Sequence, residues 1–210
     1  MLTFYDFPMA PSPRRARIVL HEKGIDHETV VVNIAENEQL TDNFRMINPR
    51  CTVPALQLED GTVLDDNAAI LAWADAAYPT PPLLGRTPVE RGEVAGWLAR
   101  VEFEGLLAIA EALRNSTPRM KGRALTGPVN FEQIPELAER GQRRVEVFWD
   151  VLEERLQGRT FLAGDHFSAA DIAALVAVDF SRVIRKQPSE RHGAIWRWRK
   201  ALDERHSVSA

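Results

Sequence analysis

The segment Asn48-Pro49-Arg50-Cys51-Thr52-Val53-Pro54-Ala55-Leu56, continuing through Glu59-Asp60-Gly61-Thr62-Val63-Leu64-Asp65-Asp66-Asn67, leaves this chain few ways to fold. It reads as a loop, a Val-Pro step, a strand, an Asp-Gly turn, a short return strand and the start of a helix. Asp-Gly between two apolar runs is a hairpin signal, because glycine accepts the backbone angles the turn demands. A proline just ahead of a strand withholds a ladder donor and fixes the approach, in either the cis or the trans form. The backbone groups of Val53 are then left outside the sheet, free to receive an extended peptide. Asp66 and Asn67 sit at a helix N-terminus, where outward-facing amides and the helix dipole attract a carboxylate. Together the two features suit a small, doubly charged peptide.

The flanking sequence supplies the rest of one layered domain. Residues 2–5 read as a short strand and residues 13–23 as a helix. Ser12 stands at the expected N-cap, Pro13 in the first turn, and Gly24 past the end. Residues 28–33 are β-branched and read as a second strand, and 37–46 as a weakly amphipathic helix. The hairpin takes 55–58 and 63–64. A helix over 67–78 offers Ile70, Leu71, Trp73, Ala74 and Ala77 to a core. The order β-α-β-α-β-β-α matches a thioredoxin-like layer, an α+β arrangement.

Pro79-Thr80-Pro81-Pro82-Leu83-Leu84-Gly85 cannot continue a helix and separates this domain from the C-terminal remainder of the chain. The expected organisation is a domain over 1–80, a linker over 81–87, and an all-α domain over 88–210. Helices are expected over 88–114, begun by Thr87 and Pro88, over 136–157, over 169–185 and over 193–204. Val145, Phe148, Trp149, Leu152 and Leu156 share one buried stripe. Trp97, Phe103 and Leu107, also at helical spacing, are expected in the core. Ser168-Ala169-Ala170-Asp171 is a capping box, with Phe167 and Ile172 as its hydrophobic staple. Residues 115–131 form a long irregular connection, a length often used for function.

Several function classes fall away on composition. The formal net charge is -4, so no basic surface argues for nucleic acid. No apolar run approaches membrane-spanning length. Cys51 is the one cysteine, which rules out a disulfide framework or cysteine-rich metal site and suits a reducing compartment. Met1-Leu2-Thr3-Phe4-Tyr5 enters a strand at once, so no signal peptide is expected and the location is read as cytoplasmic. His21, His166 and His192 have no spacing for metal or triad chemistry, and no metal is expected.

Four stretches then combine: 13–24 (Pro-Arg-Arg-Ala-Arg-Ile-Val-Leu-His-Glu-Lys-Gly), 48–54 (Asn-Pro-x-x-Thr-Val-Pro), 65–70 (Asp-Asp-Asn-Ala-Ala-Ile) and 161–172 (Phe-Leu-Ala-Gly-Asp-x-Phe-Ser-x-Ala-Asp-Ile). In this order and spacing they resemble the glutathione S-transferase superfamily over nearly the whole chain. The resemblance implies a thioredoxin-like glutathione-binding domain, an all-helical domain facing the electrophile, and a homodimer. Glutathione is then a co-substrate, with no permanently bound cofactor. By the same resemblance Val53 pairs with the cysteinyl part of glutathione, and Pro54 is its cis-proline. Asp66 and Asn67 stand where relatives carry Glu and Ser for the γ-glutamyl end, while Thr52 and Gln39 fall at polar positions for the glycyl end. Cys51 replaces a common glycine. Serine-type relatives place their catalytic hydroxyl at what is Ala10 here, and the tyrosine of other classes aligns near Phe7. Ser12 is therefore the candidate catalytic hydroxyl, although helix capping competes for its oxygen. Some relatives lack the hydroxyl and hold the thiolate through a water or the helix N-terminus.

The activity expected from the resemblance is glutathione transfer to a small hydrophobic electrophile, as in detoxification. Two alternatives stay open: a glutathione-dependent disulfide or peroxide reductase in which Cys51 takes part, and a non-catalytic binding protein of the same fold.

Overall fold

The computed structural model describes residues 1–209. They form two compact units, one of Met1–Pro81 with Leu125–Asn130, the other of Pro82–Ala124 with Phe131–Ser209.

In the first unit, β1 (Thr3–Asp6), β2 (Glu28–Val31), β3 (Ala55–Gln57) and β4 (Val63–Leu64) build a mixed sheet in the order β2-β1-β3-β4. β1 pairs in parallel with β2, Thr3 opposite Glu28, and antiparallel with β3, Tyr5 opposite Ala55. The parallel pair requires a crossover, which α1 (Pro11–Glu22) provides. The hairpin closes as expected: Gly61 takes φ +88°, and Asp60 Oδ1 accepts from the Thr62 amide at 2.9 Å. Side chains alternate across the sheet. Phe4 and Leu56, fully buried, face one way, while Tyr5 and Ala55 join Val32 and Phe44 on the other.

Two expectations for this unit need correction. The stretch 37–46 is not one helix but a 3-10 turn (Glu38–Leu40) followed by α2 (Asp42–Ile47), with Thr41 capping Phe44. α1 begins at Pro11, with Ala10 in the N-cap position, so Ser12 lies inside the first turn and caps nothing. Both Pro11 and Pro13 satisfy the preference for proline in a first turn. The choice is made by the preceding turn, where the Ala10 amide donates to the Phe7 carbonyl at 2.9 Å.

α3 (Asn67–Ala77) packs beside α1. The far ends of the two helices are joined by Lys23, whose fully buried ammonium donates to Asp75 Oδ1 (2.6 Å), the Tyr78 carbonyl (2.7 Å) and the Pro81 carbonyl. Three donors meet three acceptors, so the charge is paired and its hydrogen-bonding capacity filled.

The second unit is helical apart from one isolated bridge between Arg123 and Phe131. α4 (Pro88–Arg100) runs through a π-helical turn (Val101–Leu106) into α5 (Leu107–Ser116). α6 (Pro135–Leu156), α7 (Ala169–Phe180) and α8 (Gly193–Ala201) complete the bundle, the latter two trailing into 3-10 turns. α6 buries Val145, Phe148, Trp149, Leu152 and Leu156 on its expected stripe. It approaches α5 so closely that a Cβ on Gly141 would lie 2.6 Å from the Ala108 carbonyl oxygen. A Cβ on Gly105 would likewise lie 2.7 Å from the Phe148 ring. Phe103 and Leu107, expected in the core, are instead 68% and 38% exposed.

Asp171 is buried and takes four donors: the Leu162 amide (2.8 Å), the Ser168 amide (3.1 Å), the Ser168 hydroxyl (2.9 Å) and Trp198 Nε1 (3.1 Å). Burial pushes its carboxyl upward despite these bonds. The capping box therefore also ties α7 to α8 and to the preceding loop. Asp171→Ala leaves every one of those donors facing a cavity, and each buried unsatisfied group costs about 1–3 kcal/mol. Chemical denaturation is expected to show a stability loss of at least about 3 kcal/mol. A loss below about 1 kcal/mol would mean that water replaces the carboxylate.

Candidate functional site

The sheet topology collects four chain segments at one end. β1 and β2, being parallel, finish there with Asp6 and Val31. β3 starts there with Ala55, and β4 finishes there with Leu64. Carried beyond the ladders, the registers put Pro54 between Asp6 and Asp66, and Val53 between Phe7 and Asn67. The turn 7–10, the 3-10 turn bearing Gln39, the Thr52-Val53-Pro54 step and the start of α3 thus share this end of the unit.

The Val53-Pro54 peptide is cis. Neither the amide nor the carbonyl of Val53 has a hydrogen-bond partner among the described residues. The loop before it is organised by Asn48, which is fully buried. Its Nδ2 donates to the Thr52 carbonyl (2.8 Å) and hydroxyl (3.4 Å), and its Oδ1 accepts from the Arg50 amide (2.9 Å). The sequence reading assigned Asn48 no such role in the loop; an asparagine ahead of Pro49 is its one local signal. Cys51 takes φ +55°, in the left-handed region that favours glycine. Its side chain is inward, 2% exposed, with Sγ near the Pro49 carbonyl at 3.6 Å.

At the N-terminus of α3, Asp66 Oδ1 accepts from the Ala68 amide at 2.7 Å. The amides of Asn67 and Ala69 have no partner among the described residues. Asn67 Oδ1 is buried and unpartnered, as is Oε1 of Gln39, a residue 9% exposed. Buried polar atoms are normally satisfied by protein or water. Asn67 Oδ1 and Gln39 Oε1 are thus two exceptions to that rule in the first unit.

The start of α1 contributes a donor of a different kind. Pro11 and Pro13 have no N–H. The Ala10 amide is used by the Phe7 carbonyl, and the Arg14 amide reaches the Ala10 carbonyl at 3.4 Å. The Ser12 amide is therefore the one first-turn donor without a partner among the described residues. The Ser12 hydroxyl accepts from Arg15 Nη2 at 3.4 Å rather than capping the helix.

Asn115 and Ser116, on the connection singled out in the sequence, are spent inside the helical unit. Asn115 Oδ1 accepts from the Ile134 amide (2.9 Å), and the Ser116 hydroxyl donates to the Ala112 carbonyl (2.7 Å). Glu90, Asp165 and His166 come close enough to hold a cation. Arg86 already pairs with both carboxylates, and its hydrogen bonds hold the Glu90 carboxyl down to about 2.

Comparison with known proteins places this geometry in context. The family model for the glutathione S-transferase N-terminal domain matches residues 10–77, and that for the C-terminal domain matches residues 117–205. Glutathione S-transferase 2 of Saccharomyces cerevisiae is 32% identical over 210 residues, spanning 99% of this chain and 88% of the relative. The structure of a glutathione S-transferase domain-containing protein from Marinobacter aquaeolei superposes with a TM-score of 0.89 at 30% identity, covering 98% of this chain and 99% of that one. A glutathione transferase homologue from Sulfitobacter, solved with bound glutathione, shares the fold with a TM-score of 0.83 at 22% identity, covering 100% of this chain and 95% of that one.

The buried Cys51 thiol carries a direct consequence. A disulfide reagent such as Ellman's is expected to leave the native protein unlabelled on the timescale on which it labels the urea-unfolded chain. Prompt native labelling would show that the loop 48–52 opens and would return Cys51 to consideration as a redox group.

Proposed function

The chain belongs to the glutathione S-transferase family, and from that premise we propose that it is a glutathione transferase that activates the bound thiol with a main-chain donor. Glutathione lies as an extended peptide at the end of the sheet. Its cysteinyl segment pairs with the free amide and carbonyl of Val53 beside Pro54. Its γ-glutamyl carboxylate meets the open amides of Asn67 and Ala69, and its ammonium group meets Asp66 and the Asn67 side-chain oxygen. Gln39 and Thr52 serve the glycyl end.

The observation that carries this reading is the single open amide of Ser12, set at the positive end of α1 and at the same sheet end as Val53. A free thiol titrates near pH 8.5. Lowering it by about two units takes roughly 2.7 kcal/mol of preferential thiolate stabilisation. A helix N-terminus supplies up to about 2 kcal/mol in a partly buried geometry, and a hydrogen bond to a charged group about 1.5–3 kcal/mol. The amide and the dipole together cover the requirement. The Ser12 hydroxyl is an auxiliary in this reading, because the amide and the dipole meet the requirement without it.

The electrophile is small and apolar in this proposal. A reductase working through Cys51 is disfavoured by the burial of that thiol.

Titrating glutathione by calorimetry, while following thiolate absorbance across pH, tests the proposal. Binding with a lowered thiol pKa supports it; no binding at millimolar glutathione overturns it. Ser12→Ala keeps the amide and is expected to shift the bound thiol pKa by less than about half a unit, under 0.7 kcal/mol. Complete loss of the shift with affinity intact would make the hydroxyl the main donor. Asn67→Ala is expected to weaken glutathione about tenfold, or roughly 1.4 kcal/mol, by removing a side-chain acceptor for the ammonium group.

A further inference from the structure

Asp6, the last residue of β1, is 2% exposed, and Arg17 reaches it from α1, Nη1 to Oδ2 at 3.5 Å. The second terminal nitrogen of Arg17 donates to the Pro8 carbonyl at 3.4 Å. The Asp6 carbonyl accepts from the Val32 amide at 2.8 Å, which holds the last residue of β1 against the exit of β2. Arg17 therefore ties the turn 7–10, through the Pro8 carbonyl, to the buried carboxylate at the end of β1. This turn ends in Ala10 and determines where α1 begins.

As a device for stability the pair is poorly made. Asp6 Oδ1 and Arg17 Nε are both buried and without partners. Burial outweighs Arg17 and pushes the Asp6 carboxyl upward. A buried ion pair with unmet hydrogen-bonding groups is commonly matched or bettered by apolar side chains of similar size. What apolar side chains cannot supply is a bidentate grip on a polar turn. We infer that Asp6 and Arg17 are positioning residues, which set the turn 7–10 and thereby the place at which the Ser12 amide meets the glutathione sulfur. The inference rests on the proposed glutathione site.

The test uses the full chain and glutathione itself, reading the bound thiol pKa by thiolate absorbance and the affinity by calorimetry. Arg17→Met is expected to raise the bound thiol pKa by about one unit, giving about tenfold less thiolate at pH values below it. The dissociation constant should change less than about twofold, because Val53, Asp66 and Asn67 are untouched. Arg17→Lys, which keeps the positive charge facing Asp6, should recover at least half of the shift. An unchanged thiol pKa in Arg17→Met overturns the inference, and so does an affinity that falls in step with the pKa. Should Arg17→Met fail to fold, Asp6→Asn decides: it keeps the size of the side chain but removes the charge that faces Arg17, and an unaltered thiol pKa there also overturns the inference. If the native protein leaves the glutathione pKa unshifted, the underlying reading fails and the pair's role with it. If the native shift is present and the variants retain it, the role of the pair alone falls.

Discussion

The two ladders on β1 set the positions of everything else in the first unit. One is parallel, to β2, and the other antiparallel, to β3. That mixed pairing brings the exits of β1 and β2 and the entrance of β3 to the same end. It also brings α1 and α3 to start there, so their N-terminal partial charges face one region rather than opposite ones. A slip of one residue between β1 and β3 would turn Tyr5 and Ala55 away from the Phe44 cluster and move Val53 off its neighbours. The buried alternation of Phe4 and Tyr5 guards that register, and with it the site.

The polar groups inside the molecule divide into two kinds. Lys23, Asn48 and Asp171 are buried hubs whose capacity is filled by named partners, and each fastens a loop or helix end. Gln39, Asn67 and Asp6 are buried or part-buried with an oxygen left open. The first kind contributes stability because desolvation is offset by hydrogen bonds. The second kind costs stability, and all three lie toward the end of the sheet where α1 and α3 begin. The open amides of Ser12, Asn67 and Ala69 lie where α1 and α3 begin, beside these unmet oxygens.

Much of this was legible in the sequence, for local reasons. The Asp-Gly hairpin, the capping box at Ser168 and the α6 stripe all depend on neighbours in the chain, and each formed as read. The start of α1 was not, because Pro11 and Pro13 are equally good first-turn residues and the deciding hydrogen bond lies upstream. Nor were Phe103 and Leu107. Helical spacing assigned them to the core, but a π turn admits an extra residue and rotates the succeeding helix by about 100°. That turn is accompanied by tertiary contacts, the Phe148 ring against Gly105 and the Arg144 guanidinium on the Phe103 carbonyl, which no local pattern announces.

The donor proposed at Ser12, being built from main chain, has an unusual relation to inheritance. Side-chain donors vanish with a single codon change, whereas the amide at position 12 survives every replacement except proline. Drift at that position is thereby harmless to the donor itself and free to alter its surroundings. Selection can then act on Pro11, Pro13 and the turn before them, the residues that keep the amide open, while the side chain at 12 is left to vary. Lineages of such proteins would look as though they had lost their catalytic residue when the group in question was never written in a side chain.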